Sequence, residues 1–153
     1  MAWQSWTLGE YEISTDPAKI DVGVVHWFLT NCYWARGIPE EVVRKSIENS
    51  ICFGVYKNDE QIGFARIITD RATFSYIADV FILGPHRGQG LSKWMMECIL
   101  AHPELQGLRR HALITADAHG LYKQFGFSPV KNPDRWMERH DPDVYRTKDA
   151  TEP

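Results

Sequence analysis

The residues best placed to do chemistry lie in one short stretch, Arg87-Gly88-Gln89-Gly90-Leu91-Ser92, with Tyr122 downstream and Asp79 just upstream. Two glycines allow a tight turn and a close backbone approach to a ligand. The first turn of the helix that should follow has unpaired N–H groups and a partial positive charge. Such an end binds phosphate, and the Arg87 guanidinium adds a full charge beside it. A P-loop is excluded because no Gly-Lys-Ser/Thr triplet occurs, and a dinucleotide fingerprint fails because Lys93 stands where its third glycine belongs.

The elements around this stretch read as a strand, a turn and an amphipathic helix. Residues 80–83 form a short apolar run with β-branched and aromatic members, stopped by Gly84-Pro85. Leu91, Trp94, Met95, Cys98 and Ile99 then recur on one helical face. His102-Pro103 should end that helix. Upstream, residues 11–14 read as a first strand and residues 18–33 carry apolar residues near helical spacing. Pro39 opens a second helix over residues 40 to about 46–49, with Glu40 and Glu41 at its positive end. Residues 51–56, 61–69 and 74–83 read as three successive antiparallel strands, the first two joined by a hairpin turn. Downstream, residues 112–115 read as a strand, Asp117 as the N-cap of a short helix through Gln124, and Gly126 as the residue past its end. Residues 127–131 and 135–140 are expected as last strands, and Asp141 onward as a loose polar tail.

Composition bounds the chain. Its 153 residues suit one domain with one core, and 44% apolar with 24% charged residues is typical of a soluble globular protein. No apolar run reaches the length of a membrane helix, and the first residues do not form a secretory signal. Cys32, Cys52 and Cys98 sit within apolar patterns without metal-site spacing, so buried thiols in a reducing compartment, the cytoplasm, are expected, with no metal. Net charge is −4 over residues 1–85, +3 over residues 86–131 and −2 over the remainder. The positive segment begins at the turn, which fits a locally held anion and offers no support for a nucleic-acid surface.

Arg87, Gly90 and Ser92 occupy the fixed places of a signature that resembles the Arg/Gln-x-x-Gly-x-Gly/Ala motif of the GCN5-related N-acetyltransferases (GNAT), Ser92 departing from the usual Gly/Ala. Leu121-Tyr122-Lys123-Gln124-Phe125-Gly126-Phe127 resembles the family's second motif, at a separation that suits it. The element order over residues 10–140 also matches. The resemblance implies an α+β fold: a mixed, mostly antiparallel sheet flanked by helices, with splayed central strands. The acetyl-pantetheine arm of acetyl-CoA would lie in the splay. It implies cofactor contacts from Val80, Phe81 and Ile82 on the strand, from Arg87, Gly88, Gln89, Gly90, Leu91 and Ser92 at the turn, and from Tyr122. In that reading Tyr122 is the general acid for the departing thiolate, and a backbone N–H near residues 80–82 meets the carbonyl oxygen.

Asp79 stands where some relatives hold a carboxylate that acts as base; the alternative is a pair with Arg66. His119, three residues before Tyr122, and His86 are further titratable groups nearby, and a solvent route with no dedicated base also serves. Tyr33, Trp34 and Arg66 are the candidates for contacting the acceptor. The expected activity is transfer of acetyl to a primary amine of a small molecule or peptide, the acidic excess outside the turn segment favouring a cationic acceptor. The expected partners are acetyl-CoA and that amine, with no nucleic acid or membrane, and a homodimer as the assembly the family implies. A non-catalytic acyl-CoA-binding module on the same fold is the other reading.

Overall fold

The computed structural model describes residues 2–146. Six strands form one sheet in chain order: β1 (Ser5–Leu8), β2 (Tyr11–Ser14), β3 (Ile51–Lys57), β4 (Glu60–Thr69), β5 (Phe74–Ile82) and β6 (Arg110–Leu113). The first five are an antiparallel meander, and β6 lies parallel to β5. A parallel partner needs a crossover, here the helix α3 (Leu91–Ala101). Asn58 and Asp59, both at positive φ, make the β3–β4 turn.

The two faces of the sheet carry separate cores. Helix α3 buries Leu91, Met95, Met96, Cys98 and Ile99 against Ile13, Phe53, Val55, Ala65, Ile67, Ile77 and Ile82. Helices α1 (Val22–Asn31) and α2 (Glu40–Glu48) bury Val25, Leu29, Val43 and Ile47 against Cys52, Phe64 and Phe81 on the other face. Each fully buried large side chain contributes about 1.5–3 kcal/mol of transfer free energy. The three cysteines are free thiols, and burial pushes those of Cys52 and Cys98 up to about 12. No helix among the described residues is long and apolar enough to cross a membrane.

Several expectations are corrected. The segment from Ala18 does not run as one helix: Asp16 caps a short 3-10 turn over Pro17–Lys19, and Asp21 accepts from Val24 N–H to start α1 afresh. β1 is an added edge strand, reached through Gly9 at φ 59°. The short helix α4 (His119–Lys123) is capped at Ala118, whose N–H donates to Thr115 Oγ1, so Asp117 is not its N-cap. Residues 127–131 and 135–140 form no strands; a 3-10 turn over Pro133–Arg135 interrupts them, and β6 is the sheet's outer strand among the described residues. The expected loose tail is in part tied down, since Tyr145 packs against the α1–α2 core; its residues 147–153 lie outside the described residues.

Candidate active site

Strands β5 and β6 pair over four residues only, from Phe74↔Arg110 to Ile77↔Leu113, and β5 then runs on to Ile82 with no neighbour on that side. Its free edge can be worked out from the register. Leu83 N–H donates to Ile62 C=O on the β4 side. Bonded positions in an antiparallel pair recur every second residue, so Phe81 also faces β4, while Val80 and Ile82 turn their main-chain groups into the split. The Ile82 carbonyl is already taken by Arg87 Nε, 2.7 Å away. That leaves the Ile82 N–H and both main-chain groups of Val80 open. Phe81 points its side chain into the α1–α2 core, stacked on Phe28 with ring centres 4.0 Å apart.

A bulge sits at the mouth of the split. Phe64 pairs with Phe81 and Arg66 with Ala78, so Ala65 alone faces both Asp79 and Val80. Asp79 takes φ 55°, a left-handed conformation that Asp tolerates better than most residues. Its carboxylate is held from two sides. Arg66 Nε donates to Oδ2 and Trp34 Nε1 donates to Oδ1, each at 2.9 Å. The Arg66 and Asp79 side chains are only 17% and 12% exposed. Arg66 therefore meets Asp79, the pairing that stood as the alternative to contact with an acceptor.

The turn after β5 is rich in glycine and in unpaired main-chain donors. Gly88 and Gly90 have φ 80° and 77°, and a side chain at either would meet nothing within 4 Å. Gly90 caps α3 with no side-chain hydrogen bond. Among the described residues, the amides of residues 88–92 have no acceptor in the protein. These successive N–H groups are thus unpaired at a helix start, next in sequence to the exposed Arg87. His86 is fastened to β2 through Tyr11, whose hydroxyl lies 3.0 Å from His86 Nδ1. Tyr11 is a contact that sequence spacing could not supply, being 75 residues away.

Tyr122 is 8% exposed and belongs to the α3-side cluster, against which Val80 also packs. It lines a cavity of about 610 Å³ along β6, together with His119, Thr115 and Phe127. Burial first, then the Asp117 carboxylate, holds its phenol above the usual tyrosine range, so the proton stays on the oxygen at neutral pH. On the opposite face, exposed Tyr33 and Trp34 meet edge to face at 5.1 Å beside Asp79. The sequence candidates thus fall into two groups. Val80, Ile82, Tyr122 and the turn share the α3 side, while Tyr33, Trp34, Arg66 and Asp79 share the α1–α2 side.

Residues 22–127 match the family described as "Acetyltransferase (GNAT) family". The chain belongs to the GNAT acetyltransferase family. A Xanthomonas campestris pv. campestris structure of that family is 47% identical, with TM-score 0.87 over 90% of this chain and 97% of that one. A Gibberella zeae protein, FG08082, provisionally named an acetyltransferase, is 34% identical over 86% of each chain. A Clostridium acetobutylicum acetyltransferase structure with acetyl-CoA shares the fold at 17% identity, with TM-score 0.59 over 85% of this chain and 94% of that one. The split sheet and the turn are this GNAT protein's versions of the family's architecture.

Proposed function

We propose that this GNAT acetyltransferase moves the acetyl group of acetyl-CoA to a primary amine by direct attack in a ternary complex. The observation that supports this most is the row of five unpartnered amides at residues 88–92, leading straight to a strand edge left open by the split. Residues present here fit a pyrophosphate: the amides donate, Arg87 neutralises, and the two glycines leave the approach clear. The free groups of Val80 and the Ile82 N–H can pair with an amide-bearing arm as an added strand would. Acetyl-CoA supplies an activated acyl thioester when bound.

Each chain residue then has a defined task. The Val80 or Ile82 N–H donates to the charge that grows on the carbonyl oxygen. The amine lone pair forms the C–N bond as the C–S bond breaks, and Tyr122 gives its hydroxyl proton to the sulfur. Asp79, with a donor on each oxygen, holds the bulge in place, and the amine proton leaves through water. Tyr33 and Trp34 wall the acceptor side.

Thiol release from acetyl-CoA, followed across a panel of amines, tests the reading together with Tyr122→Phe. We expect amine-dependent release, with kcat falling about 10–100-fold in the variant and coenzyme binding retained, somewhat below the usual range for acid–base groups because water can substitute. An unchanged kcat removes Tyr122 from the chemistry. Coenzyme binding with no release for any amine supports the non-catalytic binding module instead.

A further inference from the structure

The turn between β5 and α3 has little of its own to hold it in shape. A side chain at Gly84, Gly88 or Gly90 would meet nothing within 4 Å, so no neighbouring element packs against the turn at those points. Its main-chain donors are used only as far as Arg87, whose N–H donates to the Gly84 carbonyl at 3.1 Å. Among the described residues, the amides of Gly88, Gln89 and Gly90 have no partner. Gly88 and Gly90, at φ 80° and 77°, are also the residues freest to leave that conformation. An unbraced turn of this kind would sample many shapes, and only those with converging amides could grip an anion.

Two side-chain ties brace it. Arg87 Nε donates to the Ile82 carbonyl at 2.7 Å and fixes the turn to the end of β5. The second tie comes from another strand. Tyr11 on β2 shares its strand face with Ile13, which lies in the α3-side core. Its hydroxyl is 3.0 Å from His86 Nδ1 and 3.4 Å from Gln89 Oε1, so one phenol meets the turn on both sides of Arg87 and Gly88. The Tyr11 and His86 rings also meet edge to face, 5.9 Å between centres. Tyr11 is itself well held. It pairs with Lys57 on β3, whose ammonium lies 5.5 Å from the centre of the Tyr11 ring, and β2 is bonded to a strand on each side.

We propose that Tyr11 is a positioning residue for coenzyme binding: its hydroxyl holds the turn at His86 and Gln89, so that the amides of residues 88–92 converge before the pyrophosphate arrives. This rests on the reading of that turn as the coenzyme's phosphate site. Tyr11 acts through the turn and not on the ligand. Order already present in the free protein does not have to be gained on binding, and affinity rises accordingly.

The test compares coenzyme A with pantetheine, which carries the arm without the pyrophosphate, in Tyr11→Phe. Phenylalanine keeps the ring against Lys57 and His86 and loses only the hydroxyl. Calorimetry reads the affinity for coenzyme A, and the amide shifts of Val80 and Ile82 read that for pantetheine. Coenzyme A affinity should fall about 3–10-fold, the worth of one hydrogen bond, with pantetheine affinity unchanged. In thiol release the acetyl-CoA KM should rise by the same factor, with kcat within about twofold. Adding Tyr11→Phe to His86→Ala should weaken coenzyme A little further, because the main tie is already cut. An unchanged coenzyme A affinity overturns the inference, and so does an equal loss for both ligands, which a general loosening of the fold would give. Arg87→Glu separates the two claims. If it weakens coenzyme A while Tyr11→Phe does not, the inference alone fails; if neither variant does, the phosphate reading of the turn fails with it.

Discussion

Replacing Asp79 separates its two roles, as a clamp on the bulge and as a chemical base. Asp79→Ala removes the acceptor of two 2.9 Å hydrogen bonds and leaves Arg66, 17% exposed, with Ser50 Oγ at 3.3 Å as its remaining partner. Stranding a largely buried cation costs roughly 1–3 kcal/mol. Alanine at φ 55° adds about 1.5 kcal/mol of left-handed strain. The total is about 2.5–4.5 kcal/mol, a large share of a typical domain's stability. Asp79→Gly loses the same contacts without the strain, so it should be more stable than Asp79→Ala by about 0.5–1 kcal/mol even after glycine's unfolded-state entropy. Asp79→Asn keeps an acceptor for Trp34 and tolerates the conformation, and should lose about 1–2 kcal/mol. A cycle with Arg66→Met should show coupling of about 1 kcal/mol or more. Urea denaturation at pH 7 reads all four, with unchanged m-values. Equal stability of the alanine and glycine variants would refute the strain argument, and losses all below about 0.5 kcal/mol would refute the clamp. As a clamp, folded Asp79→Asn keeps kcat within about tenfold, whereas a fall of more than a hundredfold makes Asp79 the base.

Two predictions follow from groups away from the turn. The Tyr56 hydroxyl is buried without a hydrogen-bond partner among the described residues, so Tyr56→Phe should be neutral or stabilise by up to about 1 kcal/mol in thermal melts, and a loss of that size would show a hidden partner. Burial holds His102 and His111 below the usual histidine value, so the unfolded chain takes up protons there that the folded chain does not. Their contribution is complete above pH of about 6.5 and is lost as pH falls through the depressed folded values. The urea midpoint should therefore drop on acidification from pH 7 to 5, and less so in His102→Asn/His111→Gln; equal slopes in the two proteins would contradict this.

How far the sequence spoke depended on the range of the forces involved. Helices α2 and α3, the β3–β4–β5 meander and the glycine turn were legible because periodicity, Pro39, Gly90 and the 57–60 turn act locally. Residues 127–131 and 135–140 form no strands: their apolar Val130 and Met137 are 45% and 93% exposed, on a segment broken by Pro133, and stretches this short carry no periodicity that would tell a strand from an exposed loop. β1 escaped notice because only Trp6 of its four residues is even half-buried. The bulge at Asp79 could not be read at all. It is held by Trp34 and Arg66, 45 and 13 residues away, and long-range partners leave no mark in local spacing. The two-sided division of the site has the same origin, since it follows from where β6 stops pairing with β5.

The account depends on the open amides of residues 88–92 being where the coenzyme's phosphates are gripped. Amide proton–nitrogen correlation spectra recorded while coenzyme A is titrated in observe those groups one by one. The account predicts that the Gly88, Gln89, Gly90, Leu91 and Ser92 resonances move downfield together as charge-assisted hydrogen bonds form. Saturable binding that leaves these five in place and shifts another region would contradict it.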